Sequence, residues 1–180
     1  MSLEVVIGPM FSGKTSYAIE VAAIYISKNM RVLIVKPTRD TRSIPNHITT
    51  HDGISLPCFE TSTLNGLTEQ FMANYETVII DEAQFFQGLI PFVEYAVDTL
   101  GKFVYLIGLS GDSDRRPFGE LLNTIPLANE VINLMDGVLA ENLPFSQRGM
   151  CLATRRSQSE VRRCTAVYVG HAITDRTHHD

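Results

Sequence analysis

Residues 8–15 read Gly8-Pro9-Met10-Phe11-Ser12-Gly13-Lys14-Thr15: a glycine, four residues, a second glycine, a lysine and a threonine. The apolar run Leu3 to Ile7 precedes them. After them, Lys14 to Asn29 carries Ala18, Ile19, Val21, Ala22, Ile24, Tyr25 and Ile26, the broad stripe of a helix that packs on a sheet. Strand, glycine-rich turn and helix in that order make a phosphate-binding loop. The loop N–H groups and the positive helix end surround a β-phosphate, Lys14 reaches β and γ oxygens, and the Thr15 hydroxyl ligates Mg²⁺. Glycine is required because the backbone itself must approach the phosphate. All eight residues are therefore expected at a bound nucleotide.

Outward from the loop, Arg31 to Val35, Thr77 to Ile80 and Phe103 to Ile107 repeat the short apolar run, each ending at a polar residue, proline or glycine. Phe86 to Leu100 places Leu89, Ile90, Phe92, Val93, Ala96, Val97 and Leu100 at helical spacing. Four core strands alternating with helices predict an α/β fold, a mainly parallel sheet covered on both faces, of the P-loop NTPase, RecA-like kind.

With 180 residues and 44% apolar composition, the chain has room for one main domain and a small appendage. All four lysines, Lys14, Lys28, Lys36 and Lys102, precede residue 103, whereas Arg148, Arg155, Arg156, Arg162, Arg163 and Arg176 crowd the last segment. Periodicity fades after Leu134, with Ala166 to Val169 as the remaining strand candidate. The expected division is a nucleotide-binding domain over 1–135 and a small irregular lobe over 136–180. A net charge of -5 gives no overall attraction to nucleic acid, so no nucleic-acid partner is expected. The apolar run Val21 to Ser27 is too short for a membrane span. Cys58, Cys151 and Cys164 are an odd, scattered set that fits a reducing compartment, and Met1 to Glu4 lack a secretory pattern. A cytoplasmic protein is expected.

Two carboxylates, Asp81 and Glu82, end the buried run Thr77 to Ile80. At a strand's carboxyl end both can reach the ligand crevice. Asp81 is the Mg²⁺ candidate with Thr15, and Glu82 the base that accepts a proton from an attacking hydroxyl or water. Ala83 and Gln84, next in the same motif, are counted with the nucleotide-binding residues. Lys36-Pro37-Thr38-Arg39-Asp40-Thr41-Arg42 leaves the second strand at the same edge, where Arg42 could steady a transferring phosphoryl group. Alone, that segment reads equally as an ordinary charged loop. His51, in Thr50-His51-Asp52-Gly53, is given no role.

Taken together, GPMFSGKT at Gly8, KPTRDTR at Lys36, THDG at Thr50, DEAQFF at Asp81, GLSGDSDRRPFG at Gly108 and IPLANEV at Ile125 resemble the type II thymidine kinases. The resemblance covers residues 3 to 134. It implies ATP-dependent phosphorylation of the thymidine 5′-hydroxyl with Glu82 as base and Lys14 and Arg42 as catalytic cations. It further implies phosphate-side contacts from Asp40, Thr41 and Arg42, a nucleobase between Met10, Phe85, Leu109 and Phe118, and a homotetramer.

The family's lasso-like loop over the base implies a hydroxyl contact from Ser146 or Thr154, with Ser146 preferred for its preceding phenylalanine. It also implies backbone reading of the base at Tyr168-Val169-Gly170. The family's structural zinc is not expected: Leu134 to Glu141 contains no cysteine, and Cys151, Cys164, His171, His178 and His179 fit no standard tetrahedral spacing. Two other readings stay open on the residues alone. One is a RecA-like ATPase acting on nucleic acid, in which Glu82 activates water. The other is a nucleotide-binding relative without catalysis.

Overall fold

The computed structural model describes residues 1–38, 44–50 and 52–134. In chain order these form β1 (Ser2–Ile7), α1 (Lys14–Ser27), β2 (Val32–Pro37), β3 (His47–Thr49), β4 (Ser55–Pro57), β5 (Phe59–Thr61) and α2 (Glu69–Met72). There follow β6 (Thr77–Ile80), α3 (Leu89–Val93) continued as a π-helical turn over Glu94–Thr99, β7 (Phe103–Gly108), a 3-10 helix over Leu121–Leu127, and β8 (Glu130–Asn133). Six strands make one sheet in the order β5-β2-β6-β7-β1-β8, and every pairing in it is parallel.

The sheet is buried on both sides, which is why its central strands are unbroken apolar runs rather than alternating ones. All four residues of β6 are buried. Side chains alternate between faces. Leu3, Val5, Leu33, Val35, Val78, Ile80, Val104 and Leu106 pack with Phe86, Leu89, Phe92, Val93, Ala96, Val97 and Leu121 in one core. The intervening Val6, Ile34, Ile79 and Ile107 are also buried, and α1 supplies Ala18, Ile19 and Ala22 to their side. A hydrogen bond of 2.9 Å between the Tyr25 and Tyr105 hydroxyls ties α1 to β7 on that face. Helices thus cover both faces, as the alternation of elements predicts.

The sheet has six strands where sequence periodicity predicts four. The two additional strands are its edges. β5 has three residues, Phe59, Glu60 and Thr61, and in β8 only Ile132 is buried. Half-exposed edges carry no long apolar run, so the pattern that finds central strands passes over them. The segment around Thr50 closes a hairpin: β3 pairs antiparallel with β4, and Gly53 takes φ 79 in the turn. The helix expected from Phe86 starts instead at Leu89. Phe86 is buried as a core anchor, Gly88 is left-handed at φ 73, and the Glu120 carboxylate accepts the N–H groups of Gly88 (2.8 Å) and Leu89 (3.1 Å). That carboxylate satisfies two of the donors a helix start leaves open.

Among the described residues no helix is long and apolar enough to cross a membrane. The strand candidate Ala166 to Val169 and the lobe over 136–180 lie outside them.

One acid in α1 has a consequence for stability. Glu20 is partly buried with Oε1 lacking a hydrogen-bond partner, and burial pushes its carboxyl up from 4.5 to about 7. A folded-state value above the unfolded one means that the fold tolerates the protonated form and is penalised as the group ionises. The contribution of Glu20 to stability is therefore expected to fall as pH rises from about 4.5 through about 7. Glu20→Gln should remove roughly 2 kcal/mol of that loss, allowing for partial solvent screening. Urea unfolding of both proteins at pH 5 and pH 8 checks this. An equal pH slope in the two would contradict it.

Candidate functional site

The turn between β1 and α1 curls through two left-handed residues, Phe11 at φ 66 and Gly13 at φ 86. Gly13 gives α1 no side-chain cap, and the first turn contains no acidic residue. The positive helix end is thus not neutralised by its own first turn, the state that favours an incoming anion. Space is also limiting at Gly8, where an added Cβ would lie 2.3 Å from the Leu134 carbonyl oxygen and 2.5 Å from Ser12 Oγ. Lys14 is buried, and its ammonium folds back over the loop to the Pro9 carbonyl and to Ser12 Oγ at 3.4 Å.

β6 delivers the carboxylates to this loop. Thr15 Oγ1 donates to Asp81 Oδ2 at 3.3 Å, joining the start of α1 to the end of β6. Asp81 is 5% exposed, and its Oδ1 accepts the Glu82 N–H at 3.0 Å. A hydroxyl and a carboxylate side by side are hard oxygen donors suited to Mg²⁺, which keeps several waters and phosphate oxygens in its shell.

Immediately after Asp81 the backbone breaks from extended geometry. Glu82 is left-handed at φ 53 and ψ 41, a conformation that costs a non-glycine residue free energy and is found where surrounding structure imposes it. Its carboxylate receives the Gln84 side-chain amide at 2.5 Å. Ala83 and Gln84 are buried, as Lys14 and Asp81 are. Phe85 meets Phe118 edge to face, ring centroids 5.2 Å apart, and Leu109 follows β7 at the same edge of the sheet. Met10 and Phe11 are exposed apolar side chains on the phosphate loop. The structure thus brings together Lys14, Thr15, Asp81 and Glu82, and separately Phe85 with Phe118.

Asp40, Thr41 and Arg42 lie outside the described residues, as do Ser146, Thr154, Tyr168, Val169, Gly170, Cys151, Cys164 and His51. The chain on either side of 39–43 is well anchored. Lys36, 1% exposed, donates to the His47 carbonyl at 2.9 Å and pairs with Glu60 at 3.1 Å, while the Thr38 N–H reaches the Thr61 carbonyl at 3.1 Å. Sequence reading took Lys36 only as the start of a motif. A lysine closing a buried strand was the available signal, since a buried charge must be paired.

A family model described as thymidine kinase matches residues 1–138. The chain is 38% identical over 137 residues to "Thymidine kinase a" of Arabidopsis thaliana, covering 74% of this chain and 58% of that protein. It is 35% identical over 134 residues to a thymidine kinase of Mesomycoplasma hyopneumoniae, covering 73% of this chain and 72% of that one. With "Thymidine kinase, cytosolic" of Gallus gallus it shares 33% over 132 residues, 73% of this chain and 58% of the bird protein. The chain thus spans little more than half the length of the plant and bird relatives.

Proposed function

The chain belongs to the thymidine kinase family, and from that premise we propose that it transfers the γ-phosphoryl group of Mg·ATP to the 5′-hydroxyl of thymidine, giving thymidine 5′-monophosphate and ADP. The observation that carries this reading is the 3.3 Å contact between Thr15 and Asp81, which sets the phosphate loop beside a strand end whose next residue is Glu82. In the proposed reaction the 5′-hydroxyl oxygen attacks the γ-phosphorus, its proton passes to the Glu82 carboxylate, and ADP leaves. Lys14 exchanges the neutral oxygens of Pro9 and Ser12 for phosphate oxygens, which accept stronger, charge-assisted bonds. Arg42 steadies the transferring group from the phosphate side, with Asp40 and Thr41. Met10, Phe85, Leu109 and Phe118 offer apolar surface to the thymine ring; a hydroxyl contact from Ser146 or Thr154, with Ser146 preferred, and backbone contacts from Tyr168, Val169 and Gly170 belong to the same reading.

Thr15 and Asp81 would hold Mg²⁺, which when bound neutralises charge on the phosphates. Asp81→Asn weakens one donor of that pair, so its activity is expected to need more Mg²⁺ and to be partly restored by raising it. Rates measured against Mg²⁺ for both proteins check this. An unchanged metal dependence would remove Asp81 from the metal shell. A kinase domain over 1–135, a lasso lobe over 136–180 without structural zinc, a homotetramer and a cytoplasmic location belong to the same proposal. The experiment that tests the activity is incubation of the protein with Mg·ATP and each common nucleoside in turn. A phosphorylated product from thymidine is expected, and none from any nucleoside would sink the reading.

A further inference from the structure

We infer that Gln84 is a positioning residue for Glu82, its buried amide clamped between the Glu82 carboxylate and the backbone N–H of Leu109. The inference rests on the reading of Glu82 as the base. A glutamine amide has one accepting end and one donating end, and here a main-chain group decides which is which. The Leu109 N–H, which can only donate, lies 3.0 Å from Gln84 Oε1, so Nε2 is the end turned to Glu82 Oε2 at 2.5 Å. A donor facing a carboxylate makes a charge-assisted bond of fixed direction. At 3% exposure Gln84 has little water to take over either bond.

Two glycines leave room for this residue, Gly108 for its side chain and Gly119 for its backbone. A Cβ at Gly108 would fall 2.2 Å from Gln84 Oε1 and 2.9 Å from Leu121 Cδ2. At Gly119, left-handed at φ 61, a Cβ would fall 2.1 Å from the Gln84 carbonyl oxygen. The loop leaving β7 and the turn ahead of the 3-10 helix therefore close on Gln84 from two sides, each at a position where no side chain fits. The left-handed backbone at Glu82 is the third part of the device, because it breaks the extended geometry after β6 in the stretch where the side chains of residues 82 and 84 meet. Among common side chains of this length, only glutamine offers a donor to the carboxylate and an acceptor to the N–H. Glutamate offers acceptors at both ends, and methionine offers neither.

The test is a double-mutant cycle in steady-state kcat on the full chain, using Gln84→Met, Glu82→Gln and the pair, with saturating Mg·ATP and thymidine. Gln84→Met is expected to lower the rate by about tenfold or more, the scale of a misplaced catalytic group, with the KM for ATP changed less than about twofold. In the Glu82→Gln background it should add little, because a residue acting through Glu82 has nothing left to orient. Two further variants guard against a folding defect. Gln84→Glu keeps the acceptor for Leu109 and replaces the donor by a second carboxylate turned toward Glu82, and Gly108→Ala pushes the amide aside without changing it chemically; both should lower kcat. A full multiplicative loss in the double variant, or wild-type kcat in Gln84→Glu, would overturn the inference while leaving Glu82 as base. A wild-type rate for Glu82→Gln would remove the base itself and the inference with it.

Discussion

Glu82→Gln is expected to lower turnover by about 10²-fold or more with ATP affinity nearly unchanged, the usual scale of lost general-base catalysis. The change is close to isosteric. It removes the carboxylate proposed to accept the 5′-hydroxyl proton and leaves Asp81, Thr15 and the phosphate loop in place. Because Glu82 sits in a left-handed conformation beside the Gln84 amide, its position is set by neighbours that glutamine does not disturb through size. The contrast with Asp81→Asn separates the two carboxylates: raised Mg²⁺ should help the aspartate variant and not the glutamate one. Steady-state rates against thymidine and Mg²⁺ check both, and a Glu82→Gln enzyme rescued by metal, or running at the wild-type rate, would contradict the division of roles.

Lys14→Ala is expected to be as damaging by a different route. The ammonium lies in the loop against Pro9 and Ser12, where it would meet β and γ phosphate oxygens. Removing a fixed charge from a site that excludes water costs about 10²–10³-fold in turnover, and ground-state binding should weaken too, because the same charge is proposed to hold ATP. The fold should survive, since Lys14 is no part of the hydrophobic cluster that joins sheet and helices. Near-wild-type thermal unfolding with lost product formation is the expected pair of results. Unchanged turnover would remove the phosphate-loop assignment.

The phosphate loop and the four central strands were legible in the sequence because their signals are local. Gly8 to Thr15 declares its geometry through glycine spacing, and a strand such as Thr77 to Ile80, buried at every position, needs no partner to be recognised. Edge strands β5 and β8 escaped because their register comes from Val35 to Pro37 and from Glu4 to Ile7, far away in the chain. In the site, Asp81 and Glu82 could be read as a strand-end pair, but the left-handed turn at Glu82 could not. Nor could the proposed role of Gln84, which depends on Gly108 at the end of β7 and on Leu109 and Gly119 in the segment after it. The start of α3 was misplaced for the same reason: the cap that sets it is the carboxylate of Glu120, distant in sequence.

The most direct test of the proposed phosphoryl transfer is one turnover with γ-labelled ATP, Mg²⁺ and thymidine, quenched and separated. The label is expected in thymidine 5′-monophosphate, in amounts matching the ADP formed. Label released as inorganic phosphate at the same rate with or without thymidine would contradict it.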